Sequence, residues 1–223
     1  MLLFPLFYIF LLHRSLYPFA FVLKKFWARI LALGGAIYPS VVWNYKPKKN
    51  QTFIIVSNHT SYLDIVISYC FLSHYFVFMG KEELRKLPLF RVFFKDMNIT
   101  VNRKSKLGSH RAFLRAASEL KGGHSVMIFP EGTISKKAPL MQPFKNGAFK
   151  LAIDLQIPIL PVTFMDNYKL LEDKPYFRGI MRPGVSRIVV HQPIATTGIS
   201  EDGLEALKLT VKEAIEKPFL TKT

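Results

Sequence analysis

Two residues in the run Ser57-Asn58-His59-Thr60-Ser61-Tyr62-Leu63-Asp64 have types and spacing that suit proton-transfer chemistry. A neutral imidazole takes a proton from a hydroxyl near pH 7 when another group fixes its tautomer and stabilises the imidazolium that forms. Asp64, five positions after His59, can do both. On one continuous helix, residues five apart are turned by about 140° and share no face. His59 is therefore expected in a loop before a helix, with Asp64 in its first turn reaching back. A purely structural reading stands beside this one. Ser61-x-x-Asp64 also matches a capping box, and Asn58 and His59 suit an ordinary turn.

A second loop follows at a plausible distance. Ser125 to Phe129 reads as an apolar strand that runs into Pro130-Glu131-Gly132-Thr133. At such a strand end Glu131 could hydrogen-bond substrate hydroxyls, and the Gly132 and Thr133 amides could approach a phosphate closely. Alone, the Pro-Glu-Gly run is also no more than a turn. The pairing of the two loops carries the functional reading.

The elements that must position these loops follow from periodicity. Thr52 to Val56 reads as a buried strand, which places His59 at a strand's carboxyl end, where open α/β sheets carry their sites. Candidate strands are 52–57, 75–79, 98–102, 125–129, 159–164 and 186–191. Candidate helices are 61–72, 82–95, 108–121, 146–155 and 200–216, with Gly122-Gly123 as a stop for the third. The alternation predicts an α/β fold: a single domain with a mostly parallel mixed sheet flanked by helices. The last helix is charged and amphipathic and carries no assigned chemistry.

Composition points to a surface. Half of the 223 residues are hydrophobic, 20 are Phe, and the formal net charge is +16. That combination suits a chain lying on an anionic bilayer, and the charge would also steer an acidic partner toward it. Nucleic-acid binding is disfavoured, since no zinc spacing, ribonucleoprotein motif or compact basic helix accompanies the charge. Residues 1–45 read as a membrane-associated helical segment, leaving 46–223 as the α/β domain. Apolar runs 1–12 and 15–23 are separated by His13-Arg14, and none reaches the ~20 residues of a standard spanning helix. Helices lying in the interface fit better, with Lys24, Lys25 and Arg29 facing cytoplasmic head groups. No basic stretch precedes the first apolar run, which argues against a cleavable signal peptide. The single cysteine, Cys70, lies in an apolar segment and reads as core; no Cys/His cluster at ligand spacing supports a metal.

With these residues in hand, the chain resembles the glycerolipid acyltransferase family that includes lysophosphatidic acid acyltransferase. Asn58-His59-x4-Asp64 is similar to that family's first block and Phe129-Pro130-Glu131-Gly132-Thr133 to its third. Lys81 to Pro88, ending in Ile99-Thr100-Val101-Asn102-Arg103, resembles the second, and Ile157 to Val162 the fourth. Phe144-Lys145-Asn146-Gly147-Ala148 is similar to the family's Lys-x-Gly-Ala segment. The resemblance implies that His59 and Asp64 are catalytic. It implies that Asn58, Arg103, Phe129, Pro130, Glu131, Gly132, Thr133 and Lys145 bind substrate, with Arg103 on the acceptor phosphate. Donor and acceptor would be an acyl thioester of coenzyme A or acyl carrier protein and a lysophospholipid, first of all lysophosphatidic acid. No metal or other cofactor is implied, and the expected place is the cytoplasmic face of the inner or plasma membrane.

The chain departs from the family pattern at three positions. Ile134 stands where an arginine usually follows Gly-Thr, Arg91 where a glycine is usual, and Asn102 where an aspartate often precedes the arginine. Arg91, Lys136, Lys137 or Lys145 would then supply the lost charge, or the acceptor is a lysolipid with another head group, such as an amino-acid-containing lipid. Two further classes stay open. One is a lipid hydrolase using Ser57 or Ser61 as nucleophile, although neither sits in a Gly-x-Ser-x-Gly elbow. The other is a non-catalytic membrane-binding protein.

Overall fold

A computed structural model describes residues 4–48, 50–81, 98–101, 105–173 and 179–220. Seven strands form one sheet: β1 (Ile37–Trp43), β2 (Ile54–Ser57), β3 (Phe76–Lys81), β4 (Ile99–Val101), β5 (Ser125–Ile128), β6 (Ile159–Phe164) and β7 (Gly184–Val190). Their order is β1-β7-β6-β2-β5-β3-β4. Every neighbouring pair is parallel except β6 with β7. The helices are α1 (Phe4–Phe10), α2 (Tyr17–Gly34), α3 (Leu63–Phe71), α4 (Lys106–Lys121), α5 (Gly147–Leu155), the one-turn α6 (Asn167–Leu170) and α7 (Leu204–Leu220). The expected helix over 82–95 lies outside the described residues, as do Arg91, Asn102 and Arg103.

Strand alternation divides the core. Ile55, Phe76, Phe78, Met127, Leu160 and Val162 face a layer built with α1, α2 and α3, while Ile54, Val56, Val77, Val126 and Ile128 face α4, α5 and α7. Side chains as fully enclosed as Phe76 and Phe78 each contribute roughly 1.5–3 kcal/mol of apolar burial. Helix α4 starts where the Ser105 hydroxyl accepts the Gly108 amide and stops at Gly122 and Gly123, the latter at φ 83°.

Residues 1–45 need correction. Helices α1 and α2 occupy much of the segment, but Ile37–Trp43 is the edge strand β1, in parallel register with all of β7 from Ile37↔Gly184 to Trp43↔Val190. A division at residue 45 would cut this sheet, so the segment and the α/β domain share one fold. Pro39 fits an edge position, where a missing N–H costs no ladder bond on the open side. The amino-terminal helices are also tied to the body. Phe21 of α2 packs edge-on to Phe76 at 5.3 Å, and Arg14 bonds the buried Glu119 of α4, which also holds the His124 ring at 2.8 Å.

Helix α2 wears its polarity inside out. Phe19, Val22, Phe26, Ile30 and Leu33, spaced three or four apart, are exposed, whereas Lys24 is wholly buried against α3. The expectation that Lys24 faces head groups is therefore overturned: its ammonium lies 5.8 Å from the centre of the Tyr69 ring. Among the described residues, no helix is long and apolar enough to cross a membrane.

Candidate active site

The site is set by register. Strands β2 and β5 are neighbours at the middle of the sheet with Val56 opposite Ile128, so three residues further on His59 and Glu131 leave the sheet side by side. The contact is direct: the His59 backbone N–H donates to Glu131 Oε1 at 2.8 Å. The other carboxylate oxygen of Glu131 accepts the Gln142 N–H, also at 2.8 Å. Burial raises the Glu131 carboxyl above its ordinary value, and the two amides and the nearby His59 ring pull it part of the way back. Glu131 fastens two loops through these amides and is buried.

Helix α3 begins at Leu63, and Asp64 in its first turn reaches back as expected. Its Oδ2 accepts the His59 ring at Nδ1 (2.9 Å) and the amides of Thr60 (2.7 Å) and Ser61 (2.9 Å). Because the two amides can only donate to Oδ2, that oxygen is an acceptor for the ring as well. Nδ1 therefore carries the proton, and Nε2 is the basic nitrogen. Half of the capping box is present: Asp64 accepts the Ser61 N–H, whereas Ser61 Oγ accepts the N–H of Leu63 at 3.2 Å and the Asp64 N–H goes to the Ser61 carbonyl. The structural and chemical readings of Ser61-x-x-Asp64 are two uses of one carboxylate.

The His59 ring lies flat on Phe129, centroids 4.0 Å apart and planes 11° from parallel, and Phe129 stacks in turn on Phe78 at 5.8 Å. Asp64 is fully enclosed and the His59 side chain is 12% exposed, so the dyad is partly open to solvent only at its histidine end. Beside it, a cavity of about 320 Å³ is lined by Met79, Phe113, Phe129, Pro130, Gly132 and Lys145, among others. That volume is at the small end for ligand sites. The Lys145 amide donates to the Pro130 carbonyl at 3.0 Å, which fixes the start of α5 against the loop after β5.

Other expected site residues fare differently. Asn58 is wholly buried, donates through Nδ2 to the Phe164 carbonyl and accepts the Phe164 N–H on Oδ1, each at 2.9 Å, so its amide joins the end of β2 to β6. Gly132 takes φ 78°, which favours glycine, and its N–H closes a turn onto the Phe129 carbonyl, so that amide is engaged within the loop. Ile134 is buried. Lys136, Lys137 and Lys145 are exposed. Ser57 and Ser61 are buried and donate to the carbonyls of Asn58 and Leu171, which removes both as nucleophiles beside His59. Among the described residues no group of three His, Cys, Asp or Glu side chains could hold a metal.

Two residues at the site were missed by the sequence reading. Asn167 Nδ2 donates to Asp64 Oδ1 at 2.8 Å, and Ser186 Oγ donates to Asn167 Oδ1 at 2.6 Å. The available signal was the polar pair Asp166-Asn167 just past an expected strand end.

Comparison with known proteins accords with this geometry. A family model described as Acyltransferase matches residues 40–165. A 1-acyl-sn-glycerol-3-phosphate acyltransferase of Brassica napus chloroplasts, BAT2, is 31% identical over 193 residues, covering 84% of this chain and 54% of that protein. The chain belongs to the acyltransferase family. The mouse 1-acyl-sn-glycerol-3-phosphate acyltransferase alpha is 30% identical over 172 residues, 74% of this chain and 58% of the mouse protein. The chain thus spans about half the length of such curated relatives. The crystal structure of PlsC from Thermotoga maritima, a 1-acyl-sn-glycerophosphate acyltransferase, superposes with a TM-score of 0.77 at 23% identity. The match covers 97% of this chain and 87% of that chain, and it establishes the shared fold.

Proposed function

We propose that this acyltransferase moves a fatty acyl group from a thioester of coenzyme A or acyl carrier protein to the free hydroxyl of a lysophospholipid. Lysophosphatidic acid is the acceptor named by the relatives, and phosphatidic acid would be the product. The observation that carries this reading is the His59–Asp64 pair at 2.9 Å, with the carboxylate enclosed and the ring stacked on Phe129, which lines the cavity. His59 Nε2 takes the hydroxyl proton as that oxygen bonds to the thioester carbonyl carbon. Collapse of the tetrahedral adduct breaks the carbon–sulfur bond, and the imidazolium returns the proton to the departing thiolate. No acyl-enzyme forms. General-base help supplies about 10²- to 10⁴-fold, and positioning of the two lipids supplies much of the remainder.

Arg103, with Lys145 and the Gly132-Thr133 loop, is assigned to the acceptor's phosphate, and the cavity lined by Met79, Phe113 and Phe129 to apolar chain. The exposed stripe from Phe19 to Leu33 on α2 would lie in the interface of an anionic bilayer on its cytoplasmic face, bringing the site to its lipids. The test is the purified chain with a labelled acyl thioester, on coenzyme A and on acyl carrier protein, against lysolipids of several head groups. Acylation of lysophosphatidic acid, abolished in His59→Ala while vesicle binding persists, is the expected result. Release of the label as free fatty acid, or turnover retained by His59→Ala, would overturn it.

A further inference from the structure

We propose that Asn167, braced by Ser186, is a positioning residue for the acyl-transfer site: it holds the Asp64 carboxylate, and through it the His59 ring, in the arrangement base catalysis requires. The inference rests on the reading of His59 as the base.

The two oxygens of Asp64 are held by different parts of the fold. Oδ2 takes all its donors from the loop of His59 itself, namely the ring and the Thr60 and Ser61 amides. Oδ1 is reached by the Thr60 hydroxyl at a long 3.3 Å and by Asn167 at 2.8 Å. Asn167 begins α6 just after β6, and Ser186 sits on β7. The dyad is thereby tied across the antiparallel β6–β7 pair to strands that contribute none of the residues around the cavity.

The chemistry of the side chains fixes the direction of this relay. A flipped Asn167 amide would set its oxygen against Asp64 Oδ1, two acceptors at hydrogen-bond distance, so the NH₂ faces the carboxylate. The Asn167 oxygen is then left for a donor, and the Ser186 hydroxyl supplies one at 2.6 Å. All three side chains are buried, so no water substitutes cheaply if one is lost. A neutral donor is also the fitting one. An Arg or Lys at this place would neutralise the carboxylate, whereas an amide orients it and leaves its full charge for the imidazolium.

The charged groups around the relay are Glu131 from the loop after β5, Asp166 and Lys169 of the α6 turn, and Arg187 of β7. Arg187 clasps Asp166 through Nε and a terminal nitrogen at 2.6 and 2.8 Å. Asp166 is thus engaged away from Asp64, and Asn167 is the residue of this turn that meets the dyad.

The experiment measures kcat, KM and the rate–pH profile of Asn167→Ala, Asn167→Asp, Ser186→Ala and His59→Ala in the full chain, together with thermal unfolding. Asn167→Ala is expected to lower kcat about 10- to 100-fold with KM for acceptor and donor unchanged. Asn167→Asp is close to isosteric: two buried carboxyls at this distance share one proton, so the protonated carboxyl at position 167 donates to Asp64 Oδ1 as the amide does until rising pH removes that proton. Its kcat is therefore expected near the parent's at acidic pH and falls on an added alkaline limb, a change that a merely structural role would not produce. Ser186→Ala is expected to cost only a few-fold in kcat. An inactive His59→Ala together with a parental pH profile in Asn167→Asp would overturn the relay and leave the base assignment standing. Turnover in His59→Ala would overturn both.

Discussion

Asp64 and Lys24 are both fully enclosed ionisable side chains, and both meet α3, one in its first turn and the other against Tyr69 further along. The groups described around each of them differ. Asp64 is met by the His59 ring, two backbone amides, a hydroxyl and an amide side chain, so the protein replaces the water it lost. Lys24 lies beside the face of an aromatic ring, and burial lowers its ammonium from the ordinary value to about 7. The lysine shows what burial does when desolvation dominates.

The strongest way to break the comparison is Asp64→Asn, which keeps the shape and removes the charge. An amide leaves one acceptor oxygen for donors that had two, and it gives the imidazolium no counter-charge. We expect kcat to fall about 10²- to 10⁴-fold, with a loss of roughly 1–3 kcal/mol in stability. Steady-state rates and chemical denaturation of the same preparation check both. A variant within a few-fold of the parent would mean that the carboxylate's charge is idle.

The next effect comes from Lys24→Met. In the folded chain Lys24 releases its proton near pH 7, against an ordinary value of 10.5 for an accessible lysine. Between these values the unfolded chain binds more protons, so the stability of the parent rises with pH across that window and carries the full penalty below it. Burial raises the Tyr69 and Tyr75 hydroxyls above their ordinary value of 10, which lowers stability only at more alkaline pH. Lys24→Met should therefore be more stable than the parent by a few kcal/mol at pH 6, with the gap closing toward pH 10. A constant gap from pH 6 to 10 would show that Lys24 stays charged when folded.

How much of this was legible follows the same division. Local chemistry could be read: the reach of Asp64 to His59 across one turn, the strand before it, and the glycine stop of α4 all depend on residues close in sequence. What needed the fold was whatever depends on facing. Lys24 was expected among head groups because a lysine in an apolar stretch normally turns outward, and only the packing of α2 on α3 reverses it. Strand β1 was missed because Pro39 and Ser40 break its pattern, and its partner β7 lies more than a hundred residues away. Asn167 escaped for the same reason, since its hydrogen bond to Asp64 spans 103 residues. Asn58 was assigned to substrate through the block it shares with His59 and Asp64, and its pairing with the Phe164 backbone of β6, 106 residues away, needed the fold.

The inversion of α2 gives a third, smaller effect. If Phe19, Val22, Phe26, Ile30 and Leu33 are the face that meets lipid, Phe26→Glu places a charge in the middle of that stripe without touching the buried side. Losing the burial of one aromatic ring in the interface corresponds to about 10-fold weaker partitioning onto anionic vesicles, with the melting temperature unchanged. Co-sedimentation with vesicles reads it, and undiminished binding would move the lipid face elsewhere.

Glu131→Gln is the mildest change and separates position from charge at the site itself. The glutamine oxygen can accept one of the two amides that Glu131 now holds, from His59 and from Gln142, while its NH₂ would confront the other N–H. One strap between the loops is therefore lost, and the expected cost is about 1 kcal/mol in stability. The dyad stays whole because its geometry is held from the opposite side by Asp64 and Asn167. We therefore expect a drop of only a few-fold in kcat and no change in KM for the acceptor. A large rise in that KM would instead mean that Glu131 touches the lysolipid, and the carboxylate would then be doing for substrate what Asp64 does for His59.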